Sequence, residues 1–421
     1  MKSIRILVPL HVFPTEKHLS TMLINNLTKS LDEKIKVSFI FFLYDQDIKI
    51  KSLNNHTIIH FDQYSNAVDV LQKTRPDIVF LNEDRSTIDL CFHIACDFLK
   101  IPVMCPINHI WLSGYKISKK NMLSKLKFLF SNRSSTSKNS NSFKTKINFF
   151  NNTVKKSNLN FFKILNIKFK LFISQLTTKP VIYSKSLNTL FRLETNSSIP
   201  ILLKDNFPKS NLFVTGNPIY DEVFKRIINF KHNLNPKKIN ILFAPSQVFE
   251  DGIWNKHDSD QSFIQILKIL SDNKDKFFTT VKIHPVSVNI LDYSPLIKKI
   301  DSSIPILQKE NFLDLLESSD IVIGYPANST MLRYCLLAKK PIVLCNFFNN
   351  NSCEFLENNL SFECTSPNNL VDSIFKVIEN NPSDSEMSRK FLKENYFKSD
   401  GLSTDRLLSA VIKFIKKTNS I

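Results

Sequence analysis

Glycine is nearly absent from this chain, with five in 421 residues. There is no Gly-x-Gly-x-x-Gly dinucleotide fingerprint, no Gly-x-x-x-x-Gly-Lys-Ser/Thr phosphate loop and no Gly-x-Ser-x-Gly nucleophile elbow. Redox and P-loop nucleotide-hydrolysing chemistries are therefore unsupported. Paired cysteines are also missing: all seven stand singly, none in a Cys-x-x-Cys pair, and no His or Cys cluster has zinc spacing. They read as reduced, buried small hydrophobes, as expected of a cytoplasmic protein. No apolar run approaches the ~18 residues that span a bilayer, and the one beginning at Ile4 is too short for a signal-peptide core.

What is present suits two domains rather than one core. Apolar runs alternate with helical patterns along most of the chain, which implies right-handed crossovers and parallel sheets. In the first half the expected strands are Ile4–Pro9, Lys36–Leu43, Thr57–Phe61, Asp77–Asn82 and Ile101–Cys105. A strand at Val181–Ser184, a short helix at Leu187–Leu193 and a strand at Leu212–Thr215 follow. After Pro236 the alternation restarts with strands at Ile239–Ala244, Thr279–Ile283, Ile321–Gly324 and Pro341–Asn346, and it ends in a helix over Ser403–Lys417. The expected fold class is α/β, two Rossmann-like domains facing across a cleft. Residues 1–218 form the first and 219–421 the second, with the last helix able to cross back.

Acidic residues are wholly lacking from residues 115–180, which hold 15 Lys plus Arg, while the rest of the chain is almost neutral. The segment contains a Ser- and Asn-rich stretch, Ser131–Ser142, that reads as a flexible loop, and ends in Phe161-Phe-Lys-Ile-Leu-Asn-Ile-Lys-Phe-Lys-Leu-Phe172. Phe, Leu and Ile mixed with Lys suit a surface lying on anionic lipid headgroups. An insertion packed on its domain with solvated lysines gives the same composition. No nucleic-acid recognition module accompanies the charge.

Four motifs carry the chemistry, each after an apolar run that reads as a strand: Val214-Thr-Gly-Asn-Pro218, Phe243-Ala-Pro-Ser246 with Glu250-Asp251-Gly252, Lys282-Ile-His-Pro285, and Gly324-Tyr-Pro-Ala-Asn-Ser-Thr330. All should emerge on the sheet edges where open α/β folds bind ligands. Three of the five glycines, Gly216, Gly252 and Gly324, lie within them. Asn328, Ser329 and Thr330 begin a helix whose N–H groups and hydroxyls can receive a phosphate, although the same residues serve a plain N-cap. His284, fixed by Pro285, can donate to a phosphate oxygen, and its strand end is expected to neighbour that of Asn328–Thr330. Asn217 can face a ligand from the cleft floor, and Gly216 and Pro218 can shape a hinge turn there; the two readings are compatible. Glu250 and Asp251 can act as a general base at a cleft mouth or be a solvated turn. His11, Glu16, Glu83, Asp84 and, more weakly, His109 are candidate bases from the first domain.

Taken in order, these motifs resemble the GT-B superfamily. Within it the chain is similar to CDP-glycerol glycerophosphotransferases, to bacterial sialyl- and Kdo-type transferases of surface polysaccharides and, more loosely, to non-hydrolysing UDP-N-acetylglucosamine 2-epimerases. The resemblance implies a nucleotide-activated sugar as donor substrate, held mainly by the second domain, a glycan or lipid-linked acceptor on the first-domain side, and no metal or other cofactor. It implies Asp251 or Glu250 as base, His284 with Pro285 at the nucleotide phosphate, and Ser246, Gly216, Asn217, Asn328, Ser329 and Thr330 around the donor. The basic segment would keep the enzyme on the inner face of the membrane. No nucleic acid is expected.

The epimerase likeness rests on Thr215-Gly-Asn217 and on the Leu81–Ser86 region. Three sources of epimerase acid/base groups are replaced here by Pro9-Leu-His-Val-Phe, Ser246-Gln-Val-Phe-Glu250 and Asn108-His-Ile. Transfer is therefore expected over epimerisation, with a non-catalytic nucleotide-sugar-binding protein as the third reading.

Overall fold

The structure is a computed structural model, and it describes residues 4–10, 37–44, 52–53, 56–81, 86–107, 137–176, 185–230, 238–246, 248–249, 254–284, 290–327, 330–348 and 352–418. The chain divides into two compact units, Met1–Asp221 with Glu394–Ile421, and Glu222–Lys393.

The first unit holds β1 (Ile4–Leu10), β2 (Val37–Leu43), β3 (Ser52–Leu53), β4 (His56–His60), α1 (Ala67–Thr74), β5 (Ile78–Phe80), α2 (Thr87–Leu99) and β6 (Val103–Ile107). It continues through α3 (Ser137–Lys156), α4 (Phe161–Leu176), β7 (Thr189–Leu193), α5 (Ser198–Lys204) and β8 (Leu212–Val214). The strands form one sheet in the order β3-β4-β2-β1-β5-β6-β7-β8. All its pairings are parallel except the short β3 against β4. Strands such as Ile-Arg-Ile-Leu-Val-Pro-Leu and Val-Ser-Phe-Ile-Phe-Phe-Leu are nearly continuous apolar runs because helices cover both faces of the sheet. On one face Phe42, Val79 and Phe191 pack with Phe92, Phe149 and Ile167 of α2, α3 and α4.

The second unit follows with α6 (Asp221–Ile227), β9 (Ile239–Phe243), α7 (Lys256–Asp272), β10 (Phe277–Lys282), α8 (Ile290–Ile300), β11 (Ile306–Leu307), α9 (Phe312–Ser318) and β12 (Ile321–Gly324). Next come α10 (Thr330–Leu337), β13 (Ile342–Cys345), α11 (Glu354–Glu357), β14 (Phe362–Cys364), α12 (Leu370–Glu379) and α13 (Glu386–Asn395). Its sheet is parallel, in the order β11-β10-β9-β12-β13-β14. One face buries Phe243, Phe263, Ile323 and Tyr325, and the other Leu242, Val322, Leu332 and Phe355. The final helix, α14 (Ser403–Thr418), belongs to the first unit and lays Leu407, Val411 and Phe414 against Ile6, Val8, Phe39 and Phe41.

Scarce glycine leaves a mark on the helix ends. Arg75 and Lys100 cap α1 and α2 in the left-handed conformation, with φ of 46° and 60°, and Asn158, Asn206, Lys339 and Asn359 also have positive φ. Glycine is the usual occupant of such positions. At the other ends, the side chains of Asn66, Ser86, Asn255 and Asn311 accept backbone N–H groups of α1, α2, α7 and α9, which satisfies donors that a helix start leaves open.

Two expectations need correction. Leu187–Leu193 is not a helix: Thr189–Leu193 is β7, fully buried between β6 and β8. A seven-residue stretch with four apolar positions, Leu187, Leu190, Phe191 and Leu193, carries too little period to separate strand from helix, and the place between two parallel strands decides it. The Ser- and Asn-rich stretch is not a loop throughout, since α3 begins at Ser137 and runs for 20 residues. Its apolar positions Phe149, Phe150 and Val154 anchor it to the core. The expected strand Val181–Ser184 lies outside the described residues.

Candidate functional site

In the first unit the Thr-Gly-Asn-Pro motif follows β8, and its polar groups are turned inward. Gly216 has φ +79°, and a Cβ there would meet Ser403 Oγ at 2.5 Å. The Gly216 carbonyl accepts from Thr215 Oγ1 at 2.8 Å and from the buried Arg192 guanidinium at 3.1 Å. Burial lowers the pKa of Arg192, and Glu194, 3.6 Å away, opposes this only in part. Asn217 donates from Nδ2 to Glu194 at 2.7 Å and accepts the Ile219 N–H on Oδ1 at 3.2 Å. Both ends of the Asn217 amide thus shape the turn, which is the hinge reading of the motif.

Arg406 of α14 closes the same knot, donating from Nε to the Thr215 carbonyl at 2.8 Å and pairing with Asp400 at 2.9 Å. Its hydrogen bond holds the Asp400 carboxyl below the usual range. Asp221 then accepts from Ser403 N, Thr404 N and Thr404 Oγ1 at 2.9, 2.7 and 2.6 Å. These partners are nearly 200 residues apart in sequence, and no local pattern announces them.

In the second unit the strand order sets the site. The chain leaves β9 toward β10 and β11, then returns to the other side of β9 for β12, β13 and β14. The switch point therefore lies between the carboxyl ends of β9 and β12, where ligands bind in open α/β sheets. Ala244-Pro-Ser246 follows β9 and Tyr325-Pro-Ala327 follows β12, joined by Ala244 N to Ile323 O at 2.9 Å. At Gly324 a Cβ would make ordinary contact with the Ala244 carbonyl at 3.4 Å.

His284 is exposed just past β10, and its carbonyl accepts from Gln308 Nε2 at 3.3 Å. Its strand is not next to that of Thr330, because β9 lies between β10 and β12. At about 4.8 Å per strand the two ends are about 10 Å apart. Lys282 of the same motif is committed to the fold: it is buried, and its Nζ donates to the carbonyls of Ile283 at 3.1 Å and Gln308 at 2.7 Å. Burial pulls its pKa down.

Behind the switch point Tyr325 and Trp254 are buried in ring contact, 4.9 Å between centroids. Four buried polar atoms here have no hydrogen-bond partner among the described residues: Ser246 Oγ, Trp254 Nε1, Ser262 Oγ and Tyr325 OH. The Ser262 hydroxyl lies near enough to favour the Tyr325 phenolate but short of hydrogen-bond geometry, and burial dominates, pushing that phenol far above its usual pKa. Unmet groups of this kind each cost about 1–3 kcal/mol unless water or a ligand meets them. Trp254 and Tyr325 were not anticipated as site residues, although Tyr325 lies within the Gly324–Thr330 motif and Trp254 stands two residues past Gly252.

Thr330 is exposed and opens α10. Glu250, Asp251, Gly252, Pro285, Asn328 and Ser329 lie outside the described residues, as do His11, Glu16, Glu83, Asp84 and His109. Among the described residues no group of three or more His, Cys, Asp or Glu is placed to hold a metal ion. The expectation that the chain has no Asp-x-Asp motif is wrong, since Asp45-Gln-Asp47 and Asp258-Ser-Asp260 both have that form. On α7 the second pair serves separate contacts, Asp258 with Asn255 at 2.7 Å and Asp260 with Lys256 at 2.6 Å.

No family model matches the chain, and no curated protein matches its sequence. Solved structures do match. The UDP-GlcNAc 2-epimerase of Neisseria meningitidis bound to UDP-GlcNAc aligns at 15% identity and a TM-score of 0.53, covering 98% of this chain and 100% of the other. The wall teichoic acid polymerase TagF aligns at 11% identity and 0.53, covering 99% and 90%. A glycosyltransferase of kitacinnamycin aligns at 10% and 0.51, covering 96% and 97%. At these identities the shared property is the fold, and the two parallel-sheet units of this chain have the GT-B architecture.

Proposed function

We propose that the protein is a GT-B-type glycosyltransferase that moves a sugar, or glycerol phosphate, from a nucleotide-activated donor to a surface-polysaccharide or lipid-linked acceptor. The observation that carries the reading is the switch point of the second sheet, which brings the motif-bearing ends of β10, β9 and β12 side by side. A donor with a diphosphate between base and sugar is long enough to meet groups about 10 Å apart. His284 and the start of α10 then serve different parts of one ligand rather than a single phosphate. Amides and hydroxyls at the start of α10 hold the phosphates. The His284 imidazole stabilises charge on the departing nucleotide. Asp251, or Glu250, takes the proton from the attacking acceptor hydroxyl. The unmet hydroxyls and indole N–H behind β9 and β12 supply further polar contacts for ligand or bound water.

Epimerisation is the second reading, favoured by fold likeness to several UDP-GlcNAc 2-epimerases over nearly the whole chain. Against it stand the three replaced segments named above. A thermal-shift panel of UDP-, CMP- and CDP-linked donors identifies the nucleotide, because a ligand that prefers the folded state raises Tm. Incubating the protein with the stabilising donor and no acceptor then separates the activities. A transferase leaves the sugar's configuration intact, whereas inversion at C2 overturns the proposal. A panel in which no donor raises Tm overturns both readings.

A further inference from the structure

Helix α4 has two apolar faces. Ile164, Ile167 and Leu171 pack into the core of the first unit. Phe161, Phe162, Leu165 and Phe169 point the other way and are 70%, 80%, 55% and 63% exposed. At 100° per residue these four fall within an arc of about 100°, on the side away from Ile164, Ile167 and Leu171. Lys168 borders one edge of the arc at about 20°, and Lys163 and Lys170 lie beyond the other edge by about 80–100°. All three lysines are exposed. Core packing explains the inner stripe and leaves the outer one unexplained. Four large apolar side chains on one exposed face mark an interaction site.

We infer that this outer face of α4 docks the protein onto an anionic lipid surface, with the helix lying in the plane of the headgroups. Charge complementarity selects the occupant: residues 115–180 contain 15 cations and no anion, and the exposed Lys168 borders the apolar stripe where phosphate headgroups would lie. The helix does not span the membrane. Its 16 residues cover roughly 24 Å, and no described helix is long and apolar enough to cross. The inference rests on the proposed function only for its purpose, which is to hold the enzyme beside a lipid-linked acceptor.

The test is co-sedimentation of the full chain with vesicles of equal parts phosphatidylglycerol and phosphatidylcholine, against phosphatidylcholine alone. Binding to the anionic vesicles that weakens at raised ionic strength is expected. Phe161→Ser with Phe162→Ser, and separately Lys163→Gln with Lys168→Gln and Lys170→Gln, should each lower the partition by about tenfold or more with Tm unchanged, since these side chains make no core. Equal binding to both vesicle types, or wild-type binding by the variants, overturns the inference. So does a dimer in sedimentation velocity that the double Phe variant dissolves while vesicles capture nothing, because the stripe would then seat a second copy. No nucleotide donor is present in this assay, so its failure is separate from a failure of the donor panel.

Discussion

Asp221 caps the start of α14 from 183 residues away, its carboxylate accepting from Thr404 through both the backbone N–H and the hydroxyl. With Ser403 N on its other oxygen, the buried carboxylate satisfies three donors at once. Helix α14 is held to the first unit by this cap at one end and by Leu407, Val411 and Phe414 along its length.

Removal of the cap is costly because the donors remain. Asp221→Ala leaves two N–H groups and a hydroxyl buried, and it is expected to destabilise by about 3 kcal/mol. Asp221→Asn, which keeps one good acceptor, should cost about half as much. Urea unfolding midpoints at constant m-value give the comparison.

The two described motif glycines should behave oppositely. Gly216→Ala requires a left-handed backbone at an L residue and places a Cβ 2.5 Å from Ser403 Oγ, so a loss of about 2–3 kcal/mol is expected. Gly324→Ala meets its nearest neighbour at 3.4 Å without a left-handed φ, and its cost should stay below about 1 kcal/mol. Differential scanning of the two variants ranks them, and equal Tm losses would refute the contrast.

The fold was legible where apolar runs were long. β1, β2, β9 and β12 announce themselves as nearly continuous apolar runs because both sheet faces are covered. β7 was missed because its identity depends on the gap between β6 and β8, a tertiary fact. For the site, the sequence named the strand ends but wrongly set those of His284 and Thr330 side by side, since strand order is a tertiary fact and β9 lies between them. The turn-shaping bond from Asn217 to Glu194 was not legible, because Glu194 follows the stretch read as a helix that is β7. Arg192, Asp221 and Arg406 were not legible as a group, since the Gly216 carbonyl, the α14 N–H groups and the Thr215 carbonyl that they meet lie 24 to 191 residues away in sequence.

Acid should weaken the first unit through His93. The ring is buried between Thr189 Oγ1 at 3.3 Å and Cys105 Sγ at 3.7 Å, and desolvation, partly opposed by Asp97, brings its pKa from 6.5 to about 4. Between those values the unfolded chain binds the extra proton, so stability falls as pH drops from about 6.5 and the loss levels off below about 4. By pH 5 the difference is roughly 2 kcal/mol. His93→Gln keeps a donor and an acceptor without titrating. Its Tm should fall less than the wild type's between pH 7.5 and 5, and parallel curves would show that His93 is not the sensor.

The division of labour proposed for the second unit predicts that binding and turnover separate. Asp251→Asn removes a base but no anion-binding group, so kcat should fall by about 100-fold to 10,000-fold while the donor still raises Tm. His284→Ala removes a donor to the leaving nucleotide, and a loss of about 10-fold to 100-fold in kcat is expected with a smaller change in donor affinity. Thr330→Ala, at the start of α10, should weaken donor binding and leave kcat nearly unchanged, because a phosphate contact made equally in ground and transition states alters KM alone. Full turnover by Asp251→Asn would move the base to Glu250 or to the first unit. Unchanged donor affinity in Thr330→Ala would take the phosphates away from α10, and with them the assignment of the donor to the β9 and β12 switch point.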